Sequence, residues 1–499
     1  MRNAFASILF IIATAGFSAF AQSDLDTTFN STGIQKIAFP FPVGGGFVAV
    51  QTDNKIVAVG HCLQGGSFLG AIARYNENGS LDTSFGGTGY VFTDIGTSPE
   101  DLYRAVAIQG DGKIVAIGSS GNVAGIVRYN SNGSLDTSFG TEGKVIIDID
   151  EPFNKSIPLR VVIQPDGKIL VSGYSRNDFL PQFPGFRQFV ARFTATGDLD
   201  STFATGGVFT APMPFQSRGG SLALQNDGKV LLGGLHLPTS QPNEYTIIRL
   251  SSNGTLDPTW DQDGLLTIVS GALSSGGLME GFAGLAIHPD GRVVGAGSQN
   301  VVYRFHTNGS IDTSFDNDGM RIVMPGNARL LGDVKLTSQG SVLVGVVNPS
   351  SRFQAFRYTS GGAPDTTFSG DGEISVQVGN SSEYGMSSIA IDLQGRTILG
   401  GNMEGSFAIV RLVETPRQSF SISGRVMAEN RGVPNAILEI RGAAGVIATA
   451  RTNPFGYYRF LTVFTDPYVM SVRSKSFRFS DRSFALTGDT TNFDFFGFR

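Results

Sequence analysis

The chain has 499 residues, with 37 Lys and Arg against 42 Asp and Glu, and a formal net charge of −5. An acidic balance argues against nucleic acid as a partner, and 41% hydrophobic residues argue against disorder. The single cysteine, Cys62, excludes an internal disulfide and a Cys-based zinc cluster, and 66 glycines mark a chain rich in turns.

Residues 1–21 read as an export signal. Arg2 gives a basic start, an apolar run follows from Phe5 to Ala15, and Ala19-Phe20-Ala21 has the small-x-small form of a cleavage site, leaving Gln22 as the mature N-terminus. The run is too short for a membrane anchor, which takes about 20 residues. The expected location is therefore outside the cytoplasm (extracellular, cell surface or periplasm), with no membrane insertion after cleavage. Cys62 follows the run Ile56 to His61 and is expected at a strand end as a partly buried, inert thiol.

Repeats come next and decide the fold. LDTTF begins at Leu25, LDTSF at Leu81 and Leu135, LDSTF at Leu199, LDPTW at Leu256, IDTSF at Ile311 and PDTTF at Pro364, in steps of 56, 54, 64, 57, 55 and 53 residues. Each copy also carries a turn before an apolar run: Asp53-Asn54-Lys55, Asp111-Gly112-Lys113, Asp166-Gly167-Lys168, Asp227-Gly228-Lys229 and Asp290-Gly291-Arg292. The last two copies degrade it to Gln339-Gly340-Ser341 and Gln394-Gly395-Arg396. Within the second copy, the strand-like runs are Tyr90–Phe92, Ala105–Ile108, Lys113–Ile117 and Gly125–Tyr129. The Asp-Gly between the second and third runs is a hairpin signal. Four strands per unit and no helical period predict an all-β chain, with a seven-bladed β-propeller over residues 22–415.

The Leu-Asp-x-[ST]-Phe, QxDGKIV and RYxxNGxLD motifs resemble the delta-sixty repeat, a bacterial β-propeller family of unknown function. The resemblance covers residues 24–415 and is weaker at the DGK station of the sixth and seventh units. It implies a propeller scaffold on an exported protein and brings no catalytic residues with it.

In six copies an arginine precedes the aspartate of the next LDxxF by eight positions: Arg74 and Asp82, Arg128 and Asp136, Arg192 and Asp200, Arg249 and Asp257, Arg304 and Asp312, Arg357 and Asp365. A sevenfold polar station suits bracing of the turns by charge-assisted hydrogen bonds better than a ligand site. Arg411 has Ser419 eight residues on, and Asp26 has no arginine before it, so joining the chain ends predicts that Arg411 meets Asp26. Phe29, Phe85, Phe139, Phe203, Trp260, Phe315 and Phe368 are expected to be wedges between blades.

Two strings, Asp261-Gln262-Asp263-Gly264 and Asp316-Asn317-Asp318-Gly319, resemble the start of a calcium loop. Other copies place Asn30, Gly86, Gly140, Ala204 and Ser369 at the first position, and neither string has a glutamate at the twelfth, so plain turns are expected. His61, His236, His288 and His306 fall at different repeat stations and form no evident ligand set. No GxSxG elbow marks a nucleophile. No catalytic, cofactor or metal residue is assigned, and no cofactor is expected.

Val413 to Ser419 reads as a linker, and residues 419–499 read as a small antiparallel sandwich. Its stations are Ile422-Ser423-Gly424-Arg425-Val426, Gly432-Val433-Pro434-Asn435-Ala436, and Thr452 to Phe460. These resemble the carboxypeptidase regulatory-like domain, with a transthyretin-like or carbohydrate-binding-like fold, departing from it at Asn453 where aspartate is usual. The resemblance implies an accessory or attachment module without peptidase activity. Tyr457, Tyr458 and Phe460 are expected mainly in its core.

The functional expectation is an exported, non-enzymatic protein that recognises a glycan or another protein through propeller loops, the C-terminal domain or both. The alternative is an enzyme acting on extracellular polysaccharide at the propeller channel. The clearest departures from the repeat, Arg176–Phe186 and Leu235–Glu244, lie in adjacent copies and are the expected functional face.

Overall fold

The computed structural model describes residues 24–96, 98–149, 155–177, 185–212, 217–238, 243–269, 281–298, 300–323, 330–347, 352–379, 386–413, 420–442, 445–463, 468–484 and 489–498. The expected signal at 1–21 and most of the expected linker lie outside them. The chain divides into two compact units, Met1–Glu414 and Thr415–Arg499. Among the described residues the fold is all-β, with no α-helix.

The first unit is a succession of four-stranded antiparallel sheets. The pattern is set by Val43–Val50, Ile56–Gln64, Ser67–Tyr75 and Tyr90–Thr93, which pair in that order. It recurs from Asp101, Lys155, Ser217, Phe282 and Leu330. The middle strands read as near-continuous apolar runs because both of their faces are buried: Ile114–Ser120 is buried at every position. Outer strands such as Lys144–Ile147 are half exposed. Side chains from successive sheets share cores, as Val57, Val59 and Ile72 do with Ile114, Ala116 and Val127.

The DGK stations form the hairpins between the first and second strands. Val50 pairs with Ile56 and Ile108 with Ile114, while Asn54 and Gly112 take the positive φ that such tight turns need. Each first strand also slips register once, between Gly45 and Phe47, Tyr103 and Ala105, Pro158 and Arg160, and so on round the unit. These bulges bend the strand that lines the centre of the unit.

The sequence-based partition of strands needs one correction. Tyr90–Phe92 does not open the second sheet; it forms the outer edge of the first, pairing with Ser67–Tyr75. The LDxxF turn folds the chain back on itself: Asp82 N–H donates to the Arg74 carbonyl (2.9 Å) and Arg74 N–H to the Gly89 carbonyl (2.9 Å). The connection is thus a local return within one sheet. The last sheet takes its outer strand from the other end of the chain. Met386–Ile391, Thr397–Met403 and Ser406–Arg411 are completed by Ile34–Lys36, with Ile34 opposite Val410.

The residue after each aromatic of the LDxxF motif has left-handed φ: Asn30, Gly86, Gly140, Ala204, Asp261, Asp316 and Ser369. In six of these the N–H donates to a carbonyl of the next repeat, as Gly86 does to Asn132 (2.8 Å) and Ala204 to Asn253 (2.7 Å). Alanine gains nothing in this conformation, which costs an L-residue about 1–2 kcal/mol. Ala204→Gly is expected to stabilise the fold by about 0.5–1 kcal/mol after glycine's larger unfolded-state entropy is counted. The expected outcome is a small rise in the thermal midpoint.

The second unit holds two sheets. One comprises Arg431–Gly432, Phe420–Ala428 and Tyr457–Val463, with Phe495–Gly497 parallel to the central strand; the other orders Gly445–Arg451, Ile437–Gly442, Tyr468–Arg473 and Arg482–Phe484. Ile422, Val426, Tyr458, Phe460 and Phe495 meet Leu438, Ile440, Met470 and Val472 in one core. Asn453 does what an aspartate would do at that turn: its Oδ1 accepts the N–H groups of Phe455 and Tyr457, both at 3.0 Å.

Candidate functional site

The repeated polar residues assemble into braces. Arg128 donates from Nε to Asp136 Oδ2 (2.6 Å), from Nη2 to Ser138 Oγ (3.3 Å) and from Nη1 to the Ala195 carbonyl of the next repeat (2.5 Å). Asp136 accepts a further bond from Ser138 Oγ at 2.7 Å. Arg192 and Arg249 repeat the set, reaching the carbonyls of Ser252 (2.7 Å) and Thr307 (2.5 Å). One guanidinium thus closes its own turn and ties its sheet to the following one. The guanidinium also lies over the aromatic of the same turn, Arg128 over Phe139 at 4.5 Å and Arg249 over Trp260 at 4.9 Å. Phe85, Phe139, Phe203, Trp260, Phe315 and Phe29 are fully buried and Phe368 nearly so, each in a core shared by two sheets, which is the wedge role expected.

Arg411 and Asp26 meet as the sequence predicts. Arg411 Nε donates to Asp26 Oδ2 (2.7 Å), its Nη2 to Thr28 Oγ1 (3.0 Å) and its Nη1 to the Glu77 carbonyl. Both ends of the first unit are locked by the brace that elsewhere joins neighbours in sequence.

The sequence reading missed one member of this brace. The lysine of the DGK turn also reaches the aspartate: Lys55 to Asp82 at 3.0 Å, Lys113 to Asp136 at 2.9 Å, Lys168 to Asp200 at 3.0 Å and Lys229 to Asp257 at 3.2 Å. Arg292 takes this place opposite Asp312 (3.0 Å) and Arg396 opposite Asp26 (3.6 Å). Burial alone would raise these carboxyls. Hydrogen bonds from the neighbouring Ser or Thr, the lysine and the arginine outweigh it, holding Asp257 at about 2 and Asp82, Asp136, Asp200 and Asp312 lower still.

The calcium-like strings are turns of this same kind. Asp261 and Asp316 occupy the left-handed position, their N–H groups bonded to the Asn308 and Gly361 carbonyls (both 2.9 Å). Asp263 and Asp318 accept the N–H two residues on, from Leu265 (2.8 Å) and Met320 (2.9 Å). The histidines are spread over both ends of the sheets. His288 (2.8 Å from Asp290) and His306 (3.6 Å from Asp312) lie at the DGK end, whereas His61 lies in the far half of the second strand Ile56–Gln64 and His236 ends the second strand Val230–His236. His61 stands edge-on to Phe68 at 5.2 Å, and burial, with the Arg104 charge, lowers its pKa. Cys62 is fully buried among Val43, Phe407 and Ile409, and burial pushes its thiol up to about 11.

The centre of the unit is crossed by a side chain. Arg160, at the bulge of the third sheet's first strand, donates from Nη2 to the carbonyls of Ala283 (3.0 Å) and Gly332 (3.1 Å), on the first strands of the fifth and sixth sheets.

The expected functional face combines an aromatic pair, two basic groups and a histidine–glutamate contact. Of the two loops, residues 178–184 and 239–242 lie outside the described residues, but their stems are described. Tyr174 and Phe186 meet edge to face at 5.8 Å. Arg218, from the fourth sheet, stacks over both, 5.7 Å from the Tyr174 ring and 5.4 Å from that of Phe186. Arg176 lies opposite Phe186 in the register, and His236 Nδ1 is 3.0 Å from Glu244 Oε2. In the second unit Tyr458 and Phe460 are core residues as expected, whereas Tyr457 is 53% exposed with Arg425 over its ring at 4.9 Å.

Residues 51–85, 109–139, 164–203, 225–259 and 288–315 match a family model described as a domain of unknown function (DUF5122) beta-propeller. The first unit carries β-propeller repeats. Each match contains a DGK-type turn, an arginine and the aspartate of the LDxxF motif, the three parts of the brace. A protein of unknown function from Dyadobacter fermentans is similar in structure, with 14% identity, 76% of this chain and 99% of that chain covered, and a TM-score of 0.39. YCF48 bound to D1 peptide is similar at 10% identity, with 76% and 95% covered and a TM-score of 0.42. No curated protein matches the chain.

Proposed function

We propose that the protein is an exported, non-enzymatic binding protein: a seven-bladed propeller of the delta-sixty type joined to a carboxypeptidase regulatory-like sandwich, recognising a glycan through one face of the propeller. Seven sheets from Val43 to Arg411, the last completed by Ile34–Lys36, support the blade count. The pairing of two sheets over one core supports the sandwich.

The observation that carries the binding reading is the division of polar side chains. Those on repeated stations are consumed in braces at the DGK end. Three polar departures from the repeat, Arg218, His236 and Glu244, stand with Tyr174 and Phe186 at the opposite end, beside the two longest connections between second and third strands. A rigid scaffold presenting variable loops is suited to recognition. Arg160 across the central channel weighs against the enzyme alternative, because its guanidinium occupies the place where a substrate would enter.

The test is a binding screen of residues 22–499, 22–415 and 419–499 against neutral and acidic polysaccharides. The expected result is binding by the first two, lost on alanine replacement of 178–184 and 239–242. Binding confined to 419–499 would move recognition to the second unit, and release of cleaved products would replace this reading with the enzymatic one.

A further inference from the structure

Resting on that reading, we propose that the crevice between the third and fourth sheets is a site for an acidic glycan, with Arg218 as the clamp on a sugar carboxylate. The sheets alternate their faces residue by residue. Leu170 and Val190 of the third sheet pack with Val230, Leu232 and Ile248 of the fourth. Tyr174, Arg176 and Phe186 continue the first of these faces, and His236 and Glu244 the second. The crevice therefore starts as an aliphatic core and becomes aromatic and charged at its loop end.

Arg218 is the unusual member. Its guanidinium lies against the Tyr174–Phe186 pair, and its Nε is buried with no hydrogen-bond partner. Leaving a buried donor unmatched costs about 1–3 kcal/mol. The repeat does not demand the residue: Leu102 occupies the corresponding place in the second sheet, opposite Ser119 as Arg218 is opposite Leu235. An arginine fixed against two rings is pre-organised to offer its outer Nη groups to a planar anion, and carboxylate geometry matches that fork. Tyr174, His236 and Glu244 supply the donor and acceptor groups that sugar hydroxyls need.

A glycan fits better than an acidic peptide. Peptides that bind sheets by strand addition need an exposed edge. Tyr174, Phe186, His236 and Glu244 all sit on interior strands of their four-stranded sheets and Arg218 alone on an end strand, so the crevice offers mainly side chains.

The experiment measures binding of the full chain to oligogalacturonate, a neutral oligosaccharide of the same length and polyglutamate, with Arg218→Met and Arg218→Lys variants beside the wild type. We expect oligogalacturonate binding that weakens with salt, falls at least about tenfold in Arg218→Met, the loss of one charge-assisted bond, and is partly kept in Arg218→Lys. The melting temperature of Arg218→Met should stay level or rise, because the unmet donor is gone. A marked fall in that temperature would make Arg218 a structural brace and overturn the proposal. Preference for polyglutamate would overturn the glycan assignment in favour of an acidic peptide. Equal binding of the neutral oligosaccharide, unaffected by Arg218→Met, would overturn this site while leaving the binding function standing. No binding of any probe overturns the proposal, and the wider polysaccharide screen then decides the function separately.

Discussion

Arg411→Ala is expected to destabilise the first unit by about 3–5 kcal/mol, the usual cost of removing one partner from a buried ion pair. Arg411 is 2% exposed and Asp26 6% exposed, so neither charge has water to turn to when the other is lost. Its guanidinium also holds Thr28, the Glu77 carbonyl and the face of Phe29 (4.7 Å), so four contacts disappear together. Asp26→Ala should be damaging to a similar degree, and Asp136→Ala gives the reference for an internal brace. Equilibrium denaturation by urea of the three variants checks this. If closure matters as the geometry indicates, the Asp26 variant loses at least as much as the Asp136 variant, although residues 24–36 contribute only one short strand. A neutral Asp26→Ala beside a damaging Asp136→Ala would mean that the ends are held by the Ile34–Lys36 pairing and the other backbone bonds between residues 24–36 and 410–413.

The comparison of the Arg–Asp and Lys–Asp contacts shows what was readable from sequence. Arg74 and Asp82 are always eight residues apart because a turn of fixed length joins them, so spacing betrays the pair. Lys55 and Asp82 are 27 residues apart, and Lys168 and Asp200 are 32, because the third strand and its variable loop intervene. A contact that spans a variable loop leaves no constant interval, and the DGK lysine reads only as a turn residue. The same limit hid the assignment of Tyr90–Thr93, since periodicity marks a strand without naming its neighbour. Phe186 was legible only as part of a region, one of two stretches of unusual length in adjacent copies, and Tyr174 and Arg218 lay outside both. Their meeting depends on which faces of two sheets pack together, and no interval in the chain encodes that.

Acid should unfold the first unit more sharply than mild burial of its carboxyls would suggest. In an unfolded chain aspartate titrates near 3.9. In the fold, burial pulls the brace aspartates upward, but bonds from Thr28 and Arg411 at Asp26, and from Ser138, Lys113 and Arg128 at Asp136, leave each below its ordinary value. The folded state therefore binds fewer protons than the unfolded state from about pH 5 down to the depressed values of the braces. Above that window the stabilisation is complete; as pH falls through it, every brace loses its share. Asp101, Asp261 and Glu373, raised by burial, work in the opposite direction but are fewer than the lowered brace carboxyls. Stability measured by denaturant titration should be level from pH 7 to about 5 and then fall steeply, with loss of the fold before the braces are fully protonated. Asp136→Asn removes one titrating group, so its stability is lower at pH 7, and its slope against pH should be shallower by up to about 1.4 kcal/mol per pH unit, the value of one proton. Parallel slopes for the wild type and this variant would show that Asp136 is not among the groups whose protonation drives acid unfolding, and would place that role on carboxyls outside the braces.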